Sequence, residues 1–328
     1  MTAGLLIDRI GRLFTAGPRG VLADAAVVVT DATIAWIGAA GAAPPADIDV
    51  DERVDCAGGL VTPGLIDAHT HPVYGGSRLV EIAARSAGEP YGASDGETGI
   101  GATVAATRAT DTDTVRAAVI SRLRSWLAHG ATTVETKTGY HLTCASELDA
   151  VRLLDGLRAD AELPDLYVTF LAAHALPPDH TGAPDDYVAA VSEWMDAAAQ
   201  AGADACDVFC DEGYFTVDQA RHVLRAGRRA GLAARLHADE LAHTGGARLA
   251  AELRASSADH LLHLTNADAR RLAAAGVTAT LCPATALAMG RTPNISALRD
   301  HRVTIALGSD HNPGMVGTEH VPLRVEVR

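Results

Sequence analysis

From Val61 onward the chain alternates short apolar runs with amphipathic stretches, eight of the former with seven of the latter between them, a rhythm that few architectures satisfy. Strands are expected at 64–71, 131–139, 166–174, 205–213, 233–240, 258–264, 278–284 and 303–310. Helices with 3.6-residue patterning are expected at 113–129, 145–160, 185–201, 216–230, 244–254, 265–275 and 293–301, several of them opened by caps at Asp113, Ser146 and Thr216. Eight strands with seven intervening helices predict an α/β chain closed into a (β/α)8 TIM-type barrel, whose working residues belong at the C-terminal ends of its strands. Residues 1–60 read differently, as short β-rich runs broken by turns and a Pro/Ala-rich stretch at 41–50. They predict a small N-terminal β-sandwich-like domain, with the barrel occupying 61–328. After Asp310 only eighteen residues remain. That is too few for an eighth helix and for strands returning to the small domain, so both are expected to be missing.

Composition narrows the partners. No apolar run approaches the ~20 residues of a membrane span, and the N-terminus lacks a sustained apolar segment followed by a small-residue cleavage site. The five scattered cysteines are odd in number, which favours a reducing compartment, and the expectation is a cytoplasmic protein. A net charge of −14 argues against nucleic acid as a partner. The pair Cys206 and Cys210 invites a zinc reading, but i and i+4 on a strand sit too far apart to clamp one ion.

Chemistry gathers at the expected strand ends. In Pro63-Gly64-Leu65-Ile66-Asp67-Ala68-His69-Thr70-His71, alternation places His69 and His71 on one face, about 7 Å apart at Cα. His237 lies near the end of the fifth strand, His260 at the opening of the sixth, and Asp310 at the end of the eighth. Three imidazoles and one carboxylate, His69, His71, His237 and Asp310, make a nitrogen-rich set suited to one divalent ion, Zn2+ or Fe2+, which activates water. Glu240, three residues past His237, is the candidate catalytic base and later proton donor, Asp310 is expected to share proton handling, and His260 to polarise a substrate carbonyl.

These residues resemble the amidohydrolase superfamily. More narrowly, the chain is similar to the imidazolonepropionase family in Gly75-Gly76-Ser77-Arg78, Thr136-Lys137-Thr138-Gly139-Tyr140, Ala173-His174-Ala175-Leu176-Pro177, Phe209-Cys210-Asp211-Glu212-Gly213, His237-Ala238-Asp239-Glu240, Ser257-Ala258-Asp259-His260 and Asp310-His311-Asn312-Pro313-Gly314. The resemblance implies hydrolysis of 4-imidazolone-5-propanoate to N-formimidoyl-L-glutamate in histidine degradation. It implies Arg78 as a bidentate clamp for the propionate, and substrate contacts from Tyr140, His174, Glu240, Asn312, Gly314 and Met315. Binuclear amidohydrolases carry a carboxylated lysine at the end of strand four; here Asp207-Val208-Phe209-Cys210-Asp211-Glu212 holds none, so one ion is expected. Two positions depart from the family: His311 stands where a phenylalanine is common, and Met315 where a small hydroxyl residue is. The competing readings are another mononuclear enzyme, an aminopyrimidine- or aminopurine-type deaminase, which would have no carboxylate for Arg78 to hold, and a shortened, inactive relative. The partner is a small anionic molecule, with neither nucleic acid nor membrane, and homodimer formation is left open.

Overall fold

In the computed structural model, residues 4–78, 80–81 and 98–314 are described. The chain divides into two units, Met1–Leu65 and Ile66–Arg328. The first is built on β1 (Leu5–Phe14), β2 (Val21–Thr30), β3 (Thr33–Ala39), β4 (Glu52–Asp55) and β5 (Leu60–Val61). Its described strands form one sheet in the order β3-β2-β1-β4, with β5 also on β1. Alternation along β2 sends Ala25 and Val27 into one apolar cluster, with Ile10 and Leu13, and Ala26 and Val28 into another, with Leu6; a register shift between Ile7 and Ile10 separates the two groups on β1.

The second unit runs β6 (Leu65–Thr70), α1 (Gly99–Ala109), α2 (Thr112–Ala128), β7 (Ala131–Lys137), α3 (Cys144–Leu157), β8 (Asp165–Ala173), α4 (Pro184–Glu193), α5 (Met195–Gln200), β9 (Ala205–Cys210), α6 (Val217–Arg229), β10 (Ala233–Ala234), β11 (His237–Ala238), α7 (Gly246–Leu253), β12 (Ser257–His260), α8 (Asn266–Ala275), β13 (Thr278–Leu281), α9 (Pro283–Ala288), α10 (Ile295–Asp300) and β14 (Ile305–Leu307). The sheet order β6-β7-β8-β9-β11-β12-β13-β14 is sequential, and the strand pairings are parallel, as β-α repetition dictates. A parallel bridge between Thr70 and His311 brings the last strand back to the first. Around the barrel, Val151, Leu154, Val223, Leu224, Leu249 and Leu272 pack their helices onto the sheet. No helix among the described residues is long and apolar enough to cross a membrane.

Several expectations need correction. The fifth strand is two short pieces, because Arg235 and Leu236 interrupt the ladder between β10 and β11. His260 closes its strand rather than opening it. The helix expected over 185–201 breaks at Trp194, and α1 and α9 were not foreseen. The caps of α2 and α3 lie earlier than expected. Asp111, not Asp113, accepts the Thr114 N–H at 2.9 Å, and Thr143, not Ser146, occupies the cap position of α3. Thr216 does cap α6, through a reciprocal box with Gln219. The expected absence of an eighth helix and the contact at Met315 fall on residues outside those described.

The barrel seam is held by polar bonds as well as by the bridge. Asp310 N donates to His69 O at 2.9 Å and His71 N to His311 O at 2.9 Å. The buried Asp67 carboxylate accepts from Ser309 N at 2.8 Å and from Trp126 Nε1 at 3.0 Å. Burial lifts the Asp67 carboxyl to about 6 even with these donors around it. Gly308 is needed here for closeness, since a Cβ on it would lie 2.5 Å from Cβ of His69. Replacing Asp67 by alanine strands those buried donors, and the metal-free protein is expected to lose about 2–4 kcal/mol of stability. Chemical denaturation measures this, and an unchanged midpoint would show that the seam does not depend on Asp67.

Candidate metal centre and active site

The seam delivers the first histidines to the last aspartate. His69 Nε2 lies 3.2 Å from His71 Nε2 and 3.5 Å from Asp310 Oδ1, and His71 Nε2 is 3.4 Å from the same oxygen. Nitrogen and oxygen donors about 2.0–2.2 Å from one tetrahedral ion are ~3.3–3.5 Å apart, so the three separations are those of a coordination edge. His237 completes the cluster. Its ring centroid is 4.6 Å from that of His69, and donor atoms of His69, His71 and His237 all fall within 4.8 Å of one another.

Burial makes these nitrogens available. His69, His71 and His174 have their pKa values driven well below the usual histidine range by desolvation, and His260 is brought to about 4 mainly by the same cause. Neutral imidazoles can ligate; imidazolium cannot. Among the described residues, Nε2 of His237 and both ring nitrogens of His260 make no hydrogen bond, although their side chains are buried. Orphaned, inward-aimed donors of this kind fit a cation or a polar ligand better than they fit an apolar core. His69, His71 and His237 therefore form one cluster, Asp310 stands against His69 and His71, and the residues present suit a divalent ion.

The turns after the strands place the remaining groups. Asp239, with φ of +50°, accepts the N–H groups of Gly245 at 2.8 Å and Ala247 at 2.9 Å, anchoring the start of α7. Asp211 accepts the N–H groups of Glu240, Leu241 and Ala242 at 2.6, 2.9 and 3.1 Å. Glu240 is thereby fixed over the cluster, its Oε1 3.6 Å from His260 Nδ1. Its carboxyl is raised well above the ordinary glutamate range, first by burial and then by Asp310 and Asp211. Asp310, in the left-handed region at φ of +52°, directs Oδ2 to the Thr285 hydroxyl at 2.6 Å.

A small pocket is lined by His71, Arg78, Tyr140, His174, His237, Glu240, His260, Asp310 and Asn312, with Ile100 and Phe209 as apolar walls. The described residues of the expected site line this pocket, except His69, which belongs to the histidine cluster, and Gly314, which instead packs behind Arg78: a Cβ there would lie 2.4 Å from the guanidinium carbon. Arg78 is buried and its Nη1 pairs with Glu81 at 3.0 Å. Asn312 Nδ2 donates to Asp310 O at 2.8 Å, and its Oδ1 accepts from Gly314 N at 2.9 Å. His174 Nδ1 is 3.0 Å from Gly139 O, and its ring stacks on His71 with centroids 5.1 Å apart. His311, the departure from the family pattern, is buried beside Tyr74, with 3.0 Å between Nε2 and the phenol oxygen.

Beneath the cluster lies a charged network that the sequence reading missed. His69 Nδ1 meets Asp259 Oδ2 at 2.7 Å. His237 Nδ1 is 3.0 Å from Asp207 Oδ2, out of line for a straight hydrogen bond, while His237 N donates to Oδ1 at 3.2 Å. Lys137 Nζ reaches Glu135 Oε1 and Asp207 Oδ2, each at 2.8 Å, and Arg235 Nη2 reaches Asp259 Oδ2 at 3.1 Å. Burial works against the Lys137 ammonium, but Asp207 and Glu135 overcome it and its pKa is raised. Burial likewise opposes ionisation of Asp207 and Asp259, and the cations and imidazoles beside them reverse it, holding both below the usual carboxylate range. Lys137 is thus an ammonium, not a ligand. A signal for this set existed: 67, 69 and 71, 135 and 137, and 235 and 237 share parity along or beside their strands and are all buried.

Cys206 and Cys210 are buried on β9, and neither belongs to a candidate metal cluster among the described residues.

No family profile matches the chain. Curated relatives do. An imidazolonepropionase of Mycolicibacterium smegmatis is 44% identical over 330 residues, spanning 98% of this chain and 80% of that protein. One of Salinispora arenicola is 43% identical over 98% of this chain and 80% of its own. This chain belongs to the imidazolonepropionase family. Membership of the imidazolonepropionase family agrees with the fold seen in more distant structures. A triazine hydrolase superposes with a TM-score of 0.67 at 17% identity, covering 95% of this chain and 72% of that one. An N-isopropylammelide isopropylaminohydrolase from Burkholderia multivorans does so at 0.65 and 20%, over 95% and 78%.

Replacing His237 by alanine is expected to abolish retention of a divalent ion through gel filtration while leaving the circular dichroism spectrum unchanged; Cys210→Ala should retain it. Elemental analysis of the eluted protein decides, and stoichiometric metal in the His237 variant would remove that residue from the centre.

Proposed function

We propose that this chain hydrolyses the cyclic amide of 4-imidazolone-5-propanoate to N-formimidoyl-L-glutamate, as a member of the histidine-degradation hydrolases. The observation that carries the reading is the convergence of His69, His71 and Asp310 donors within 3.2–3.5 Å of one another, in the pocket that Arg78 and Glu240 also line. His69, His71, His237 and Asp310 would hold the ion, and their nitrogen-rich set suits Zn2+ or Fe2+. Bound there, such an ion supplies Lewis acidity that activates water near neutral pH.

The chain's own residues divide the rest. Arg78 binds the propionate as a guanidinium fork, and Gly314 leaves room for it to lie flat. Tyr140, His174 and Asn312 orient the ring, while Ile100 and Phe209 exclude bulk water from it. The oxygen of water adds to the ring carbonyl carbon and Glu240 accepts the proton released. The bond from that carbon to the ring nitrogen then breaks, and Glu240 returns the proton to the departing nitrogen, so that one water is consumed and no proton is lost. A carboxyl with raised proton affinity suits that shuttle, and a divalent charge nearby would moderate the rise. His260, neutral at physiological pH, faces the carbonyl as a polarising donor. Asp310, which accepts the Thr285 hydroxyl, would share in handling the proton.

The test follows the absorbance of freshly generated imidazolone propionate with the metal-loaded protein. Turnover is expected, with Glu240→Gln lowering kcat about 10²–10⁴-fold at little cost in KM, and Arg78→Met raising KM about 10–100-fold through the lost charge-assisted pair. Turnover of neutral aminopyrimidines or aminopurines in place of the imidazolone would overturn the reading.

A further inference from the structure

We propose that Lys137 is a positioning residue for the metal centre: from within the barrel it holds Asp207, and shares Asp259 with Arg235, so that His237 is kept in register with His69. This rests on the metal reading above and concerns a residue outside the candidate ligands. Lys137 is completely buried on β7, and its ammonium is directed at carboxylates from its own strand and two others: Glu135 at 2.8 Å, Asp207 on β9 at 2.8 Å and Asp259 on β12 at 3.6 Å. Asp207 and Asp259 each turn an oxygen to the Nδ1 of a histidine, at 3.0 Å for His237 and 2.7 Å for His69. At His69 the hydrogen bond to Asp259 holds the proton on Nδ1 and leaves Nε2 bare for a cation, while Asp207 fixes His237 through its backbone N–H and stands at ion-pair distance from its Nδ1. One ammonium therefore ties together the supports of two histidines that come from different strands.

The geometry also predicts an asymmetry. Asp259 has a second cation, with Arg235 Nη2 3.1 Å from the same oxygen that faces His69. Asp207 has Lys137 alone among the cations paired with it in the described residues, besides His237 itself. Loss of the ammonium should then loosen His237 and leave His69 in register. Glu135 stays anchored without Lys137, because it also accepts the Thr169 hydroxyl and the Thr70 N–H.

The experiment uses Co2+ as the probe, reading its affinity by chelator competition and its visible ligand-field band in the wild-type chain and in Lys137→Met, Asp207→Asn and Asp259→Asn. Wild type should bind one equivalent. Lys137→Met should bind about 10–100-fold more weakly, with a displaced band that Asp207→Asn reproduces and Asp259→Asn does not. A Lys137→Met protein that melts earlier yet keeps the wild-type affinity and band would reduce Lys137 to charge balance and overturn the proposal. Should Lys137→Met not fold, Asp207→Asn decides, since a wild-type band and affinity in that variant overturn it equally. Wild type that binds no Co2+ would instead overturn the metal reading itself, and the proposal with it.

Discussion

The backbone hydrogen bond from Asp310 N to His69 O makes closure of the barrel and assembly of the site a single event. Once that bond sets the register between first and last strands, side-chain alternation on β6 decides that His69 and His71 both face inward, and the left-handed turn at Asp310 decides that its carboxylate faces them. A slip of one residue would exchange inward and outward side chains along the whole strand. Asp67 and Gly308 guard that register, one by accepting the Ser309 N–H across the seam and the other by permitting the close approach.

The interior beneath the site is built against the usual preference for branched apolar layers. Glu135, Asp207 and Asp259 are buried there with Lys137 and Arg235, leaving one more negative than positive charge. Taking each ion out of water costs several kcal/mol, offset only where pairing is close and the remaining polar atoms are satisfied. Most contacts in this set are 2.7–3.1 Å long. With Asp310 and Glu240 above it, the assembly presents an acidic, donor-rich interior to anything bound at the strand ends, which is the environment a small cation requires.

Much of this was legible in the sequence, for reasons that differ by feature. The eight strands stand out because parallel barrel strands are continuous apolar runs separated by helical periods, and His69, His71, His237, Glu240 and Asp310 stand out because titratable residues at the ends of such runs are conspicuous. The details that were misread depend on local competition. Asp111 outranks Asp113 as a cap because it lies just outside the first turn, and Arg235 interrupts its strand where its side chain turns inward to Asp259. The network around Lys137 was hidden because nothing in the order of residues says that positions 137, 207, 235 and 259 meet; only the circular arrangement of strands brings them together. Arg78 was expected as a clamp, but its pairing with Glu81 is a property of the folded loop.

The seam carries a further implication for how the molecule comes into being. Asp67 and Ser309 are joined across 242 residues of chain. A ribosome delivers His69, His71 and their supporting Glu135 and Lys137 early, and His237 well after them, but Asp310 last of all. Contacts so distant in sequence form slowly, because a long loop must be closed before any of them is gained. The histidine cluster therefore stands without Asp310 on every nascent intermediate, and the two meet only when the eighth strand docks beside the first.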